Sequence, residues 1–280
     1  MSAGATSVSL GTFGVCTRLG ALDAEQAQQI ERLGYGAIWL GGSPPADLKG
    51  IEELLAATST IAIATGIVNV WTADAAEVAE SYHRLEAAYP GRFLLGVGVG
   101  HPEAISTYTK PYQALVDYLD VLDEKGVPKE RMALAALGPR VLKLAAERTA
   151  GAYPYLVTPE YTRSARQTLG DAPLLVVEHK VVVGEDRAIT RPLGRAAVAN
   201  PYLNLANYRA NLTRLGYTDA DLDNEGSDAL IDALVEQGDT AALVARLREH
   251  LAAGADHVAV QALSADGNPV PTLAQLAPSL

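Results

Sequence analysis

Residues 89–103 read YPGRFLLGVGVGHPE: a Pro90-Gly91 turn, an apolar run through Phe93, Leu94, Leu95 and Val97, and then glycines at 96, 98 and 100. Alternating glycines at the end of a strand invite comparison with a dinucleotide-binding loop, which needs G-x-G-x-x-G at a strand-to-helix turn. Counted from Gly96 and Gly98, the third glycine position is His101; counted from Gly98 and Gly100, it is Glu103. The stretch is also the fourth strand-like segment rather than part of the first strand–helix unit. It is therefore not that loop, and no G-x-x-x-x-G-K-[ST] occurs anywhere in the chain, which removes a P-loop as well. What remains is close approach: a strand end without Cβ atoms lets backbone lie against a flat ligand or a neighbouring strand.

Outward from this stretch, strand-like and helix-like segments alternate. Strands are expected at 8–16, GAIWLGG (36–42), IAIATGIVNV (61–70), RFLLGVGVG (92–100), RMALAALG (131–138), GAYPYLV (151–157), PLLVVEHKVVV (173–183) and ADHVAVQAL (255–263). The 61–70 run is nearly all apolar and β-branched, as a parallel strand covered on both faces should be. Between the strands, Asp23 and Gln26 form a capping box opening a helix with Ala27, Ile30 and Leu33 on one face, stopped at Gly34. Asp74 and Glu77 open a second helix, with Val78, Tyr82, Leu85 and Tyr89 at helical spacing. Further helices are expected around Ile51, over 112–122, from Pro139, and from Asp239 through Leu243, Leu247 and Leu251 to Gly254. Residues 185–235 form a long, mostly helical excursion. No repeat or linker divides the chain, so residues 1–280 are expected to be a single domain. Eight strands separated by helices predict an α/β fold, a (β/α)8 TIM barrel, with an open doubly wound sheet as the rival.

The composition narrows the function. The 280 residues include 22 Lys and Arg against 33 Asp and Glu, a net charge of -11, and no basic run that would hold a nucleic-acid or anionic-membrane surface. No apolar stretch is long enough to span a bilayer, and residues 1–6 lack the charge and apolar run of a signal peptide. The expectation is a cytoplasmic protein with a small-molecule substrate, no nucleic-acid partner and no membrane. The lone Cys16 allows neither an internal disulfide nor a cysteine-based metal site, and no metal is expected.

In a barrel the strand ends at the C-terminal rim surround the reaction site. Gly98 and Gly100 would leave a smooth wall there, and His101 would be the first side chain able to reach a ligand. An imidazole suits proton transfer near neutral pH, although a histidine hydrogen-bonded near Pro102 and Glu103 is the plainer reading. In ALGPRVLK, Gly138 precedes Pro139 at the first position of a helix, followed by Arg140. A helix start offers unpaired N–H groups to a phosphate, and Arg140 adds a charged donor; an ordinary cap with a surface arginine is the alternative. Trp39 and Trp71, at strand ends, line a pocket or simply pack. His83 and His250 lie in helix patterns and are expected on the surface; His179 and His257 lie in strands and are expected to be structural. Cys16 reads as a small buried hydrophobe.

The segment IATGIVNVWTADAAEVAESYHRLEAAYPGRFLLGVGVG resembles the bacterial-luciferase-like family, in which an ATG-I/V strand is followed by a helix and by GRF-x-LG-x-G-x-G. ALGPRVLKLAAERTAGAYPYLVTPEYT (136–162) is similar to the family's cofactor-phosphate segment, and GADHVAVQ (254–261) to its last strand. TGIVNVW, GVGHPE, LAALGP and GAYPYLVTPE resemble most an actinobacterial branch that uses the deazaflavin coenzyme F420 rather than FMN. The resemblance implies a cis peptide between Gly66 and Ile67 behind the cofactor ring. It also implies cofactor contacts from Gly66, Ile67, Asn69, Gly98, Val99, Gly100, Ala136, Leu137, Gly138, Pro139, Arg140 and Thr158, and a homodimer.

Two departures are visible. Some F420-using members carry an Asp-His pair at the end of the second strand, where this chain reads WLGGSPP. Sugar-phosphate oxidising members carry a glutamate just after the glycines, where this chain has His101. Both count against sugar-phosphate oxidation. The expected activity is F420-dependent hydride transfer to or from a small organic molecule, with His101 moving the proton. The alternatives are an FMN-dependent monooxygenase and a non-catalytic carrier of the cofactor.

Overall fold

The structure, a computed structural model, describes residues 7–101 and 110–280. Its sheet contains β1 (Phe13–Arg18), β2 (Ala37–Gly41), β3 (Ala62–Thr65), β4 (Val68–Asn69), β5 (Phe93–Gly98), β6 (Met132–Leu134), β7 (Gly151–Ala152), β8 (Leu174–Val183), β9 (Val235–Gly238) and β10 (His257–Ala262). All pairings are parallel. The order β1-β2-β3-β5-β6-β7-β8-β10 closes on itself through β10 and β1, giving a closed eight-stranded barrel flanked by helices. The open doubly wound sheet is thereby ruled out. β4 continues the third stave after a break at Gly66-Ile67 and pairs with β5.

The alternation in IAIAT explains how the barrel is filled. Ile61 and Ile63 face outward into the large core shared with the helices. Ala62 and Ala64 face inward, in a cluster with Ala37, Ala133, Ala259, Trp39 and Tyr153. Small inward residues on several strands leave room for the two large rings of Trp39 and Tyr153, which stack with centroids 4.3 Å apart and so fill the interior.

The helices start where the sequence signals them. Asp23 forms the expected capping box, and Asp74 and Asp239 accept first-turn amides of the helices Ala75–Ala88 and Thr240–Ala252. Strand limits differ more. β1 begins at Phe13 rather than at residue 8, because Leu10 turns under the barrel and joins the interior cluster, with Gly11 in left-handed backbone (φ 66°). β6 and β7 are only three and two residues long. Pro139 starts a helix soon after β6; after β7, Pro154 lacks a donor and Leu156 has φ 56°.

The excursion is helical over Arg187–Ala199, Ala206–Arg214, Asp219–Leu222 and Asp228–Leu234, but it ends in a strand the sequence pattern missed, β9, which pairs with Lys180–Val183 of β8. It has its own apolar core, including Val198, Leu203, Leu212 and Ile231, and seats this core on Leu156 and Val182, at the C-terminal ends of the β7 and β8 staves. Among the described residues no helix is long and apolar enough to cross a membrane.

Candidate functional site

The three glycines of the opening stretch have three separate physical reasons. A Cβ on Gly96 would lie 1.9 Å from the carbonyl oxygen of Thr65, so glycine is required where β5 presses on the end of β3. The Thr65 hydroxyl completes that contact, accepting from the Gly96 amide and donating to the Gly96 carbonyl at 2.8 Å each. A Cβ on Gly98 would lie 2.8 Å from Cγ1 of Ile67 and 3.0 Å from Cβ of Ala135. The space in front of Gly98 therefore belongs to Ile67 and not to a ligand, which corrects the expectation of an open wall there. Gly100 has φ 59° and is half-buried, like Val99, Gly66 and Ile67. These four residues form the accessible backbone of the rim. The Gly66-Ile67 peptide is cis, as the resemblance implied.

Asn69 is buried, and its side chain accepts the Trp71 amide (3.0 Å). The Trp71 indole donates to the Val99 carbonyl (2.9 Å), tying the exits of the third and fourth staves together at the rim. Trp39 is placed differently from expectation. It is fully buried, stacked on Tyr153, and its indole N–H donates to Nε2 of His257 (3.2 Å). Trp39 is thus part of the packed interior rather than a pocket wall.

On the neighbouring stave, the exit of β6 leads to Gly138, the N-cap of the helix Pro139–Arg148, which has no side-chain cap. Nothing lies within 4 Å of a Cβ built on Gly138, so the uncapped first turn is open to an anion. The Tyr161 hydroxyl fixes the approach to this turn by donating to the carbonyls of Ala136 (3.1 Å) and Leu137 (2.9 Å). Arg140 is exposed, with its guanidinium 3.7 Å above the Tyr112 ring. These residues fit a cofactor phosphate. Thr158 does not: it is buried, and its hydroxyl accepts the Tyr161 amide as the cap of the helix Pro159–Leu169.

His101 is half-buried, and its ring centroid lies 5.5 Å from that of Tyr208. Pro102 and Glu103, its sequence-based alternative partners, lie outside the described residues.

Sequence reasoning missed a polar cluster beside this ring pair. Glu178 and Lys180 on β8 form a fully buried ion pair, 2.9 Å apart. The Lys180 ammonium lies 4.0 Å from the Tyr155 ring centroid and 5.6 Å from that of Tyr202. Tyr155 donates its hydroxyl to Gln261 (2.7 Å), and burial, with the Glu178 charge, holds that phenol well above its usual pKa. Burial does the same for Tyr208, so both hydroxyls keep their protons near neutral pH. The signal was in PLLVVEHKVVV: two charges two residues apart on one face of an otherwise apolar strand.

Of the remaining histidines His83 is exposed, as expected, and the other three are buried. His250, expected on the surface, is fully buried: Nδ1 meets the Thr162 hydroxyl (2.8 Å) and Nε2 meets Nδ1 of His179 (3.0 Å). Burial, with the Arg246 charge, lowers His250 to about 3; burial lowers His257 to about 4 and His179 well below its usual value. Cys16 is buried, accepts the Tyr153 hydroxyl, and is pushed up to about 12 by burial, which leaves it an inert thiol. Among the described residues no group of His, Cys, Asp and Glu could hold a metal. A cavity of about 250 Å³ lined by Phe13, Tyr35 and Leu280 opens at the N-terminal ends of β1 and β2, the face of a barrel that serves stability rather than chemistry.

A family model described as luciferase-like monooxygenase matches residues 23–125. No curated protein matches the sequence. Among solved structures, the chain is similar to an F420-dependent secondary alcohol dehydrogenase in complex with an F420-acetone adduct, with 15% identity, a TM-score of 0.75, and 96% of this chain and 98% of that one covered. It is similar to the coenzyme F420-dependent tetrahydromethanopterin reductase of Methanopyrus kandleri, with 17% identity, a TM-score of 0.72 and 98% of each chain covered. The FMN complex of the oxygenating constituent of 3,6-diketocamphane monooxygenase from Pseudomonas putida has 15% identity and a TM-score of 0.68, with 96% of each chain covered. At these identities the likeness shows the fold.

Proposed function

We propose that the chain is a luciferase-like, F420-dependent oxidoreductase acting on a small organic substrate, a reading supported by the family model over residues 23–125 and by the fold shared with F420-dependent enzymes. The observation that carries this reading is the pairing of two features at the exits of adjacent staves. β5 leads to the half-buried imidazole of His101, and β6 leads to an uncapped helix start flanked by Arg140.

When bound, F420 supplies a hydride donor or acceptor at C5 of its deazaflavin ring. The half-buried backbone of Gly66, Ile67, Val99 and Gly100 would hold the ring. The first-turn amides after Gly138 and the Arg140 guanidinium would hold the phosphate. His101 gives a proton to the substrate anion left by hydride transfer, or removes one in the reverse direction. Tyr155 and Tyr208 keep their protons and orient rather than transfer. The excursion, packed on the rim through Tyr202 and Tyr208, keeps water out.

A second reading, oxygen activation with reduced FMN, is favoured by the description of the matching family model. The two are separated by assaying anaerobic oxidation of reduced F420 against a carbonyl and activated-alkene panel, beside oxygen consumption with reduced FMN. Substrate-dependent F420 turnover supports the first reading. FMN-dependent oxygen uptake alone supports the second, and binding without turnover in either assay leaves a carrier.

A further inference from the structure

The Glu178–Lys180 pair is an unusual element in this barrel. A buried ion pair loses the hydration of two charges, and well-packed apolar residues commonly serve stability as well or better. What the pair does supply is direction, and every direction it supplies leads toward the rim.

Both carboxylate oxygens of Glu178 are committed. Oε1 meets the Lys180 ammonium at 2.9 Å, and Oε2 accepts the amide of Leu156 at 3.0 Å. Leu156 has φ 56°, a region leucine rarely occupies, so this bond fixes the loop after β7 where the backbone alone would not. The ammonium, held in place by Glu178, then faces two tyrosine rings from different parts of the chain. Tyr155 comes from that same loop, and Tyr202 comes from the excursion. Tyr202 in turn lies edge-on to Tyr208, with centroids 5.0 Å apart and planes at 73°, and Tyr208 meets His101 at 5.5 Å. One continuous set of contacts thus runs from the ion pair on β8, through the excursion, to the imidazole at the exit of β5.

We propose that Glu178 and Lys180 are positioning residues that dock the excursion on the barrel through the rings of Tyr155 and Tyr202, and so hold Tyr208 against His101. The proposal rests on the reading of His101 as the proton-transfer group. Lys180 is not assigned a contact with substrate, because its ammonium is already held by a carboxylate and two ring faces.

The test replaces both charges together, Glu178→Leu with Lys180→Met, so that neither is left buried alone. It compares this protein with Tyr202→Leu, which removes the ring, and Tyr202→Phe, which keeps it. Hydrogen exchange over Tyr202–Arg214 reports docking without any cofactor. F420 and FMN dissociation constants, together with kcat and KM, report the site. The double variant and Tyr202→Leu are expected to exchange at least about tenfold faster over this segment. Both should lose about tenfold in kcat while ring-cofactor affinity stays within about twofold, and Tyr202→Phe should behave as the parent. Parental exchange in both the double variant and Tyr202→Leu would overturn the proposal, as would Tyr202→Phe being as impaired as Tyr202→Leu. If the double variant does not fold, the two Tyr202 variants decide alone. A His101→Gln protein with full turnover removes the functional reading of His101, and the exchange comparison then still decides whether the ion pair docks the excursion.

Discussion

The imidazole of His101 and the phenol ring of Tyr208 meet with centroids 5.5 Å apart and planes at 55°. One ring leaves the barrel at β5; the other arrives on a helix of the excursion, more than a hundred residues later in the chain. Their contact joins the rim to its cover, and it places a titratable group in a partly enclosed site.

That placement leads to the first prediction. His101→Ala and His101→Gln should keep cofactor affinity and lower turnover by roughly 10²–10⁴-fold, the usual contribution of a positioned proton donor. The pH–rate profile should lose one limb. Unchanged turnover and profile in both variants would leave His101 as a wall of the site.

The glycines predict opposite responses to the same substitution. Gly96→Ala drives a methyl into the Thr65 carbonyl, at 1.9 Å, where backbone must move. Loss of about 3 kcal/mol or more is expected, at or beyond the upper end of overpacking costs. Gly138→Ala meets nothing within 4 Å at an ordinary φ of -86° and should change stability by less than about 1 kcal/mol. Urea unfolding of the two variants measures the contrast.

Arg140 is exposed and lies over Tyr112. Arg140→Ala should leave the thermal midpoint nearly unchanged and weaken F420 binding about tenfold, the equivalent of one charge-assisted hydrogen bond. Arg140→Lys should recover only part, since an ammonium lacks the planar face that stacks on the phenol. Equal affinity in all three proteins would remove the phosphate from this helix start.

Three buried histidines set the acid limit. His179, His250 and His257 have folded-state pKa values below the ordinary 6.5. Above that pH they are neutral whether folded or unfolded, and their contribution to stability is fully present. As pH falls below 6.5 the unfolded chain takes up protons first. Stability then declines by up to about 1.4 kcal/mol per pH unit for His257 and for His250, until their folded values near 4 and 3 are passed, and His179 acts in the same direction. Urea midpoints should drop between pH 7 and pH 5, and His250→Gln should make the drop shallower. A flat profile would contradict the buried neutral assignment.

Much of this was legible in the sequence where the cause is local. The capping box at Asp23 and the N-cap at Asp74 depend on neighbours within one turn, and the alternation of IAIAT sorts its side chains between interior and helix layer. β9 was not legible, because Val235-Glu-Gln-Gly238 has no apolar alternation and owes its conformation to the end of β8. His250 was misjudged although a signal existed: it follows Leu247 by three residues and Leu243 by seven, which places it on the buried helix face. Trp39 reads as a site residue because it lies at a strand end, and Thr158 because the resemblance implies it, whereas the ring stack with Tyr153 and the capping bond to Tyr161 are details that neither signal discloses. Glu178 and Lys180 stood out in an apolar strand, but their tyrosine partners come from two other segments.

In the proposed function the rim at Gly66, Ile67, Val99, Gly100 and Gly138 receives a deazaflavin. Calorimetric titration of the protein with F420 and with FMN under identical conditions tests it most directly, repeated with Arg140→Ala to locate the site. F420 is expected to bind at least about tenfold more tightly than FMN, and Arg140→Ala to weaken it. Tighter binding of FMN, or no heat of binding with F420, would contradict it.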